Sequence, residues 1–391
     1  MGCGHDPADF FIHRCPPDGN RPGVHALVIG TSKYRYEYTG RSDYDDFGDI
    51  AGAAFGAGKF ANFLRSEYHD PLGREIHTIR VLLSPTEDEE RPLKDLGVTW
   101  LTASRERVEP ALKGWFDSCD QSPDNIMVLY LAGHGLTRAD SYAHVFLKAE
   151  GDEPSPFFHS LNLTVIQKAL AYNYCQNNII ITDCCAEVYA ERVYDNGLFL
   201  QPKYGRSDEL RTVHKKYEPL HIAGAQTDGN AYAVSAREGT MLSCVLEKLL
   251  QSAGQLVRHP VEWNERYFAI TQNVMSEQIE PIFRDLPGAK NIWDSGPTLS
   301  GHTAPGGMHR PEPPPAFVVE FAVSAAEVSP VDVEITALDG TPVKTTKLLP
   351  GKKLELPLQA GVYIRDLRSK AEFEIDRPVR FDLPSWKVEK L

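Results

Sequence analysis

The sequence predicts an α/β domain with a mostly parallel sheet sandwiched by helices, followed by a small all-β sandwich domain. Up to about residue 295, short and continuously apolar runs alternate with segments of helical periodicity. Strands that are apolar on both faces indicate a parallel sheet covered by helices. Residues 297–315 are rich in Pro and Gly, which is typical of a linker, and short alternating segments beyond them indicate antiparallel strands.

The apolar runs predict five strands, at 25–30, 76–83, 125–132, 177–182 and 219–225. Helical spacing predicts four helices, at 50–66, 103–118, 163–174 and 239–252. The expected organisation is a tail (1–23), an α/β domain (24–296), a linker (297–315) and a β-sandwich (316–391). Ligands of parallel sheets bind at the carboxyl ends of the strands, so the residues after the strands are the first candidates for a site.

The composition argues against several classes of partner. The 54 acidic and 41 basic residues give a net charge of −13, which repels phosphate backbones, so no nucleic-acid partner is expected. No stretch approaches the roughly 20 apolar residues of a membrane span. The N-terminus lacks a secretion signal, and Asp6 stands where a myristoylation motif has Ser or Thr. A cytoplasmic protein without a membrane partner is therefore predicted.

The cysteines indicate thiols in a reducing compartment. There are seven, an odd number, and they are widely scattered, which does not suggest a disulfide framework. The N-terminal set of potential zinc ligands fits no common zinc motif and comprises Cys3, His5, His13 and Cys15. No metal and no cofactor are expected.

Two strand ends carry the residues with reactive side chains. The predicted third strand runs into Tyr130–Gly135, which contains His134, and the fourth runs into Thr182–Cys185, which ends in two cysteines. If these consecutive strands are neighbours, a histidine and a thiol pair meet at one edge of the sheet. An imidazole in this position converts a thiol into a nucleophile. The N–H groups of Gly135 and of the cysteine are candidates for binding an oxyanion.

These segments resemble the caspase and metacaspase superfamily of cysteine peptidases. YLAGHG is similar to its Tyr-Ser-Gly-His-Gly segment and ITDCC to its Asp-Cys-Cys segment, and the His lies about 50 residues upstream of the Cys, as in caspases. HALVIGTSKY resembles the opening strand, and the resemblance covers roughly residues 24–295. It implies a bacterial-type caspase-like peptidase with Cys185 as nucleophile, His134 as general acid and base, and the N–H groups of Gly135 and Cys185 as oxyanion donors. Cys184 would be a buried neighbour.

The resemblance implies a preference for Arg or Lys at P1, because Asp183 matches the metacaspase residue that makes this pocket acidic. The family's Gly-Cys-x-x-Asp segment is lost, and an acidic cluster offers replacement charge: Asp43, Asp45, Asp46 and Asp49. Arg41 keeps an Asp-specific protease open as an alternative. Ala186, where caspases have Arg, argues against that alternative.

Residues 186–217 match the activation segment of such enzymes. This segment contains candidate processing sites for an upstream protease, namely Arg206, Arg211 and Lys215. The expected partners are a protein or peptide substrate and an activating protease, and the family suggests stress response, cell death or antiviral defence. The open alternatives are an acyl hydrolase with the same dyad and a catalytically silent or ligand-regulated scaffold that binds partners through the β domain.

Overall fold

The structure is a computed structural model. It describes residues 13–14, 21–34, 48–138, 143–147, 159–170, 173–185, 187–189, 219–225, 231–250, 256–257, 262–264, 267–270, 272–289, 296–301, 308–310, 316–322, 330–337, 341–349, 351, 353–359, 361–369 and 379–383. The predicted processing sites Arg206, Arg211 and Lys215 lie outside these residues, as do Arg41, Asp43, Asp45 and Asp46.

The helices are α1 (Ala53–Ser66), α2 (Glu87–Asp95), α3 (Arg105–Cys119), α4 (Leu163–Leu170), α5 (Met241–Leu250) and α6 (Gln272–Arg284). The strands up to residue 189 are β1 (His13–Arg14), β2 (Gly23–Thr31), β3 (Glu75–Ser84), β4 (Ile126–Gly133), β5 (Gly135–Arg138), β6 (Ala143–Phe146), β7 (Ser160–Asn162), β8 (Asn177–Cys184) and β9 (Glu187–Tyr189). Those that follow are β10 (Leu220–Ala223), β11 (Ala233–Ser235), β12 (Gly239–Thr240), β13 (Leu256–Val257), β14 (Glu262–Asn264), β15 (Tyr267–Ala269), β16 (Thr298–Ser300), β17 (Ala316–Ala322), β18 (Val331–Ala337), β19 (Pro342–Leu348), β20 (Lys353–Gln359), β21 (Gly361–Ser369) and β22 (Val379–Leu383).

The central sheet has the order β1-β3-β2-β4-β8-β10-β16. Strands β3, β2, β4, β8 and β10 pair in parallel, and the antiparallel β1 and β16 close the two edges. All five predicted strands and all four predicted helices are present, and the predicted mostly parallel α/β class is confirmed. In the described part of the chain no helix is long and apolar enough to cross a membrane.

Helices cover both faces of this sheet because successive residues of a strand point to opposite sides. Leu129 and Leu131 of β4 belong to one core with Trp115 of α3, which is fully buried. Tyr130, between them, stacks on Phe60 of α1 on the opposite face, with ring centroids 4.9 Å apart. The continuous apolar runs seen in the sequence therefore reflect burial on two sides.

Helix α2 and the short sheet β7-β6-β5-β9 were not predicted from the sequence. Helix α2 has an acidic first turn and a proline in its second, Pro92, so it has no apolar period to detect. The strands of the short sheet have at most four residues each, which is too short for an alternation pattern.

The chain divides into two compact units, one of residues 1–249 and 275–309, the other of 250–274 and 310–391. In the second unit, β13, β17 and β20 form one sheet and β19, β18, β21 and β22 form another. Apart from β13, these strands lie in the part of the chain for which the sequence predicts an all-β domain. Residues 250–274 join this unit because β13 pairs with the start of β17. Residues 298–300, which lie within the predicted linker, form strand β16 of the central sheet.

Candidate active site

The structure brings the ends of β4 and β8 together. The two strands pair in parallel up to Gly133 and Cys184, and their extensions β5 and β9 pair again from Leu136 and Glu187. Partners on both sides of the interruption are 51 positions apart in sequence, so the register does not change across it. His134 and Cys185 are therefore opposite each other in the gap between two sheets.

Glycines allow the two loops to touch. Gly133 has φ 146°, a conformation that favours glycine, and a Cβ there would lie 2.3 Å from the hydroxyl oxygen of Tyr34. A Cβ on Gly135 would lie 2.4 Å from the carbonyl oxygen of Cys185. The backbone after the histidine thus packs directly on the backbone of the cysteine loop. The N–H groups of Gly135 and Cys185 stay a predicted oxyanion site.

The imidazole of His134 is half-buried and is oriented by the segment that precedes α1. Its Nε2 lies 2.9 Å from the carbonyl oxygen of Gly48. A carbonyl can only accept, so Nε2 carries the proton and Nδ1 presents a lone pair. Burial lowers the pKa of His134, while the Gly48 carbonyl and the negative charge of Asp49 act in the opposite direction.

Tyr34 also contacts this histidine. The backbone N–H of His134 donates to the Tyr34 hydroxyl at 2.7 Å, and the two rings are tilted with centroids 4.7 Å apart. Sequence reasoning missed Tyr34 and Gly48, because a tyrosine after a strand and a carbonyl on a loop have no distinctive pattern. Asp49, which the sequence places in a cluster expected to add charge to the P1 pocket, accepts a hydrogen bond from the backbone N–H of Tyr34 at 2.7 Å.

The two cysteines have different environments. Cys184 is 8% exposed and belongs to the core cluster on the α3 side of the sheet, and burial raises the pKa of its thiol well above the usual range. Cys185 is half-buried, and its Sγ lies 3.7 Å from the carbonyl oxygen of Ala231. Of the two, Cys185 is the one at the level of His134 and in reach of solvent.

Asp183 is the penultimate residue of β8, directly before the two cysteines, and is 3% exposed. The Tyr130 hydroxyl donates to its Oδ2 at 2.8 Å, and the Thr240 hydroxyl donates to the same atom. Burial raises the pKa of Asp183 to about 6, although these hydrogen bonds act to lower it. The other oxygen, Oδ1, lies beside Gly224, where a Cβ would be 3.2 Å away. Thr240 was not identified from the sequence.

Comparisons with known proteins give a similarity in structure only. No protein-family model matches the chain, and no curated protein matches it. A crystal structure of caspase-1 from Spodoptera frugiperda aligns with TM-score 0.39 and 12% identity over 76% of this chain and 98% of that one. The structure of pro-sf-caspase-1 aligns with TM-score 0.34 and 10% identity over 76% of this chain and 96% of that one.

Proposed function

We propose that this protein is a cysteine endopeptidase in which Cys185 is the nucleophile and His134 the general acid and base, with a preference for Arg or Lys at P1. The observation that carries the proposal is the unchanged register of β4 and β8 across the gap, which sets these two residues opposite each other. The hydrogen bond from Nε2 to the Gly48 carbonyl supports it, because it leaves Nδ1 as the basic nitrogen.

The chemistry follows from this tautomer. Nδ1 of His134 takes the proton of the Cys185 thiol, and the thiolate attacks the scissile carbonyl carbon to form a tetrahedral oxyanion. The N–H groups of Gly135 and Cys185 stabilise that oxyanion. The imidazolium then protonates the leaving amine, and an acyl-enzyme is left. Water, deprotonated by the same imidazole, hydrolyses the thioester and regenerates the thiol.

The surroundings of Asp183 support the preference for a basic P1 residue. Its carboxylate accepts hydrogen bonds from the hydroxyls of Tyr130 and Thr240, both at Oδ2, and from the backbone of Ser243. No cationic side chain among the described residues is within ion-pair distance of this carboxylate. A buried carboxylate without a counter-ion is stabilised by a cation brought by the ligand. Gly224, which lies beside Oδ1, has no side chain to cover this oxygen.

The test is covalent labelling of the full chain by peptidyl acyloxymethyl ketones that end in Arg, Lys or Asp. We expect the Arg and Lys probes to label wild type and Cys184→Ala but not Cys185→Ala or His134→Ala. Cys184→Ala is a matched control, since it removes a neighbouring thiol. Labelling that survives Cys185→Ala would contradict the choice of nucleophile. If no probe labels the wild type, even after proteolysis of residues 186–217, the silent scaffold is the better description.

A further inference from the structure

The loop between β2 and α1 is closed by two hydrogen bonds at its ends. The backbone N–H of Tyr34 donates to Asp49 Oδ1 at 2.7 Å, and the N–H of Ile50 donates to the carbonyl oxygen of Ser32 at 2.9 Å. One end of the loop therefore determines where the other lies. Gly48, the residue before Asp49, provides the carbonyl that holds His134.

Both ends of this loop contact His134 from different directions. The Tyr34 hydroxyl accepts from the backbone N–H of His134, and its ring packs on the imidazole. The same hydroxyl occupies the space beside Gly133 that a side chain there would need. Tyr34 is only 7% exposed, so its ring has little freedom to move. The main chain and the ring of the histidine are thus held by one closed unit of three residues: Tyr34, Gly48 and Asp49.

We propose that Tyr34 and Asp49 are positioning residues for His134, with separable roles. Tyr34 sets the place of the His134 backbone and ring. Asp49 holds the loop that carries the Gly48 carbonyl, and its negative charge favours the imidazolium that forms during acyl transfer. The importance of this unit for turnover rests on the proposed peptidase function. Its effect on the imidazole does not.

The described structure shows which groups of the β2–α1 loop lie at the imidazole. They are the ring and hydroxyl of Tyr34 after β2, and the Gly48 carbonyl and the Asp49 carboxylate before α1. Asp49 is the one carboxylate in this set. Removing its charge while keeping an acceptor oxygen therefore separates electrostatics from position.

The test uses the full chain labelled with ¹³C and ¹⁵N in histidine, with the His134 resonances assigned by their loss in His134→Gln. We expect wild type to show the Nε2–H tautomer. Asp49→Asn, which keeps an oxygen for the Tyr34 N–H, lowers the pKa of His134 and leaves the tautomer unchanged. Asp49→Ala lowers the pKa and also mixes the tautomers, because the loop that presents Gly48 loses one of the two hydrogen bonds that close it.

Kinetics with an Arg-terminated peptide substrate provide the second measurement. Tyr34→Phe removes the acceptor of the His134 backbone N–H and lowers kcat about tenfold with little change in KM. Tyr68→Phe is the matched control, since Tyr68 is also buried, with its hydroxyl 3.5 Å from Asp70. Asp117→Asn, at an exposed acid paired with Lys113, is the control for loss of charge.

The two proposals fail in different ways. Unchanged His134 shifts and pKa in Tyr34→Phe, Asp49→Asn and Asp49→Ala would overturn the positioning roles, whatever the activity. A wild-type protein that cleaves no peptide but shows these changes in the imidazole would retain the positioning roles and overturn the peptidase proposal.

Discussion

Glu89 allows the sharpest prediction on stability. It stands in the acidic first turn of α2, yet its carboxylate is fully buried. Its Oε1 accepts from the Ser32 hydroxyl at 2.8 Å and from the backbone N–H groups of Gly52 at 2.8 Å and Phe55 at 3.2 Å. Its Oε2 accepts from the N–H of Thr86 at 2.7 Å and from its hydroxyl at 3.0 Å. One side chain thus caps the start of α2 and, from outside, the start of α1.

The expected cost of Glu89→Ala follows from the donors that it leaves behind. Gly52 N–H and Phe55 N–H are buried and would lose their acceptor, and each unsatisfied buried group costs about 1–3 kcal/mol. With the loss of the capping box at Thr86, worth about 1 kcal/mol, the total is on the order of 4 kcal/mol. Glu89→Gln keeps one oxygen acceptor, and we expect it to cost about half as much.

The assay is urea unfolding of the full chain followed by near-ultraviolet circular dichroism. Glu90→Ala is the control, because Glu90 is the next residue and makes only an exposed ion pair with Lys94. Such a pair contributes about 0.5 kcal/mol or less. If Glu89→Ala costs no more than Glu90→Ala, the reasoning that Glu89 anchors both helices is refuted.

Other predictions concern the site and its regulation. Asp183→Asn should lower kcat/KM for Arg substrates at least tenfold and leave the Asp probe unaffected; an equal loss on all substrates would contradict a role in specificity. Because the carboxylate has a raised pKa of about 6, activity on Arg substrates should fall as the pH drops through about 6 and the charge is lost, and Asp183→Asn should remove this limb of the pH profile. Replacing Arg206, Arg211 and Lys215 with Ala should block both cleavage of the activation segment and the accompanying rise in activity, as measured by gel and peptide turnover; full activity in the uncut triple variant would point to another trigger. A chain ending after Arg310 should be more stable in urea than one ending at residue 300, because the shorter one loses His309, which is 1% exposed and accepts the backbone N–H of His69 at 3.3 Å.

The sequence alone was sufficient to predict the five parallel strands of the central sheet and to place His134 and Cys185 at the same edge of it. The segments that form β2, β3, β4, β8 and β10 are apolar on both faces. This pattern is visible in each segment by itself, so it can be recognised without knowledge of the fold. Because parallel strands end at the same edge, His134 and Cys185 could be predicted to meet once β4 and β8 were taken as neighbours. The difference between Cys184 and Cys185 came from the family resemblance.

Only the tertiary structure decided what surrounds those residues. Glu89 stands in an acidic run that predicts a solvated face, yet it is buried because the start of α1 brings unpaired N–H groups to it. Thr240 reaches Asp183 from 57 residues away in sequence, and the Gly48 carbonyl reaches His134 from 86. These contacts depend on how distant segments close on one another, and a hydroxyl or a backbone carbonyl has no sequence pattern that reveals its partner. The orientation of His134 and the environment of Asp183 are therefore properties of the folded chain, not of any single segment.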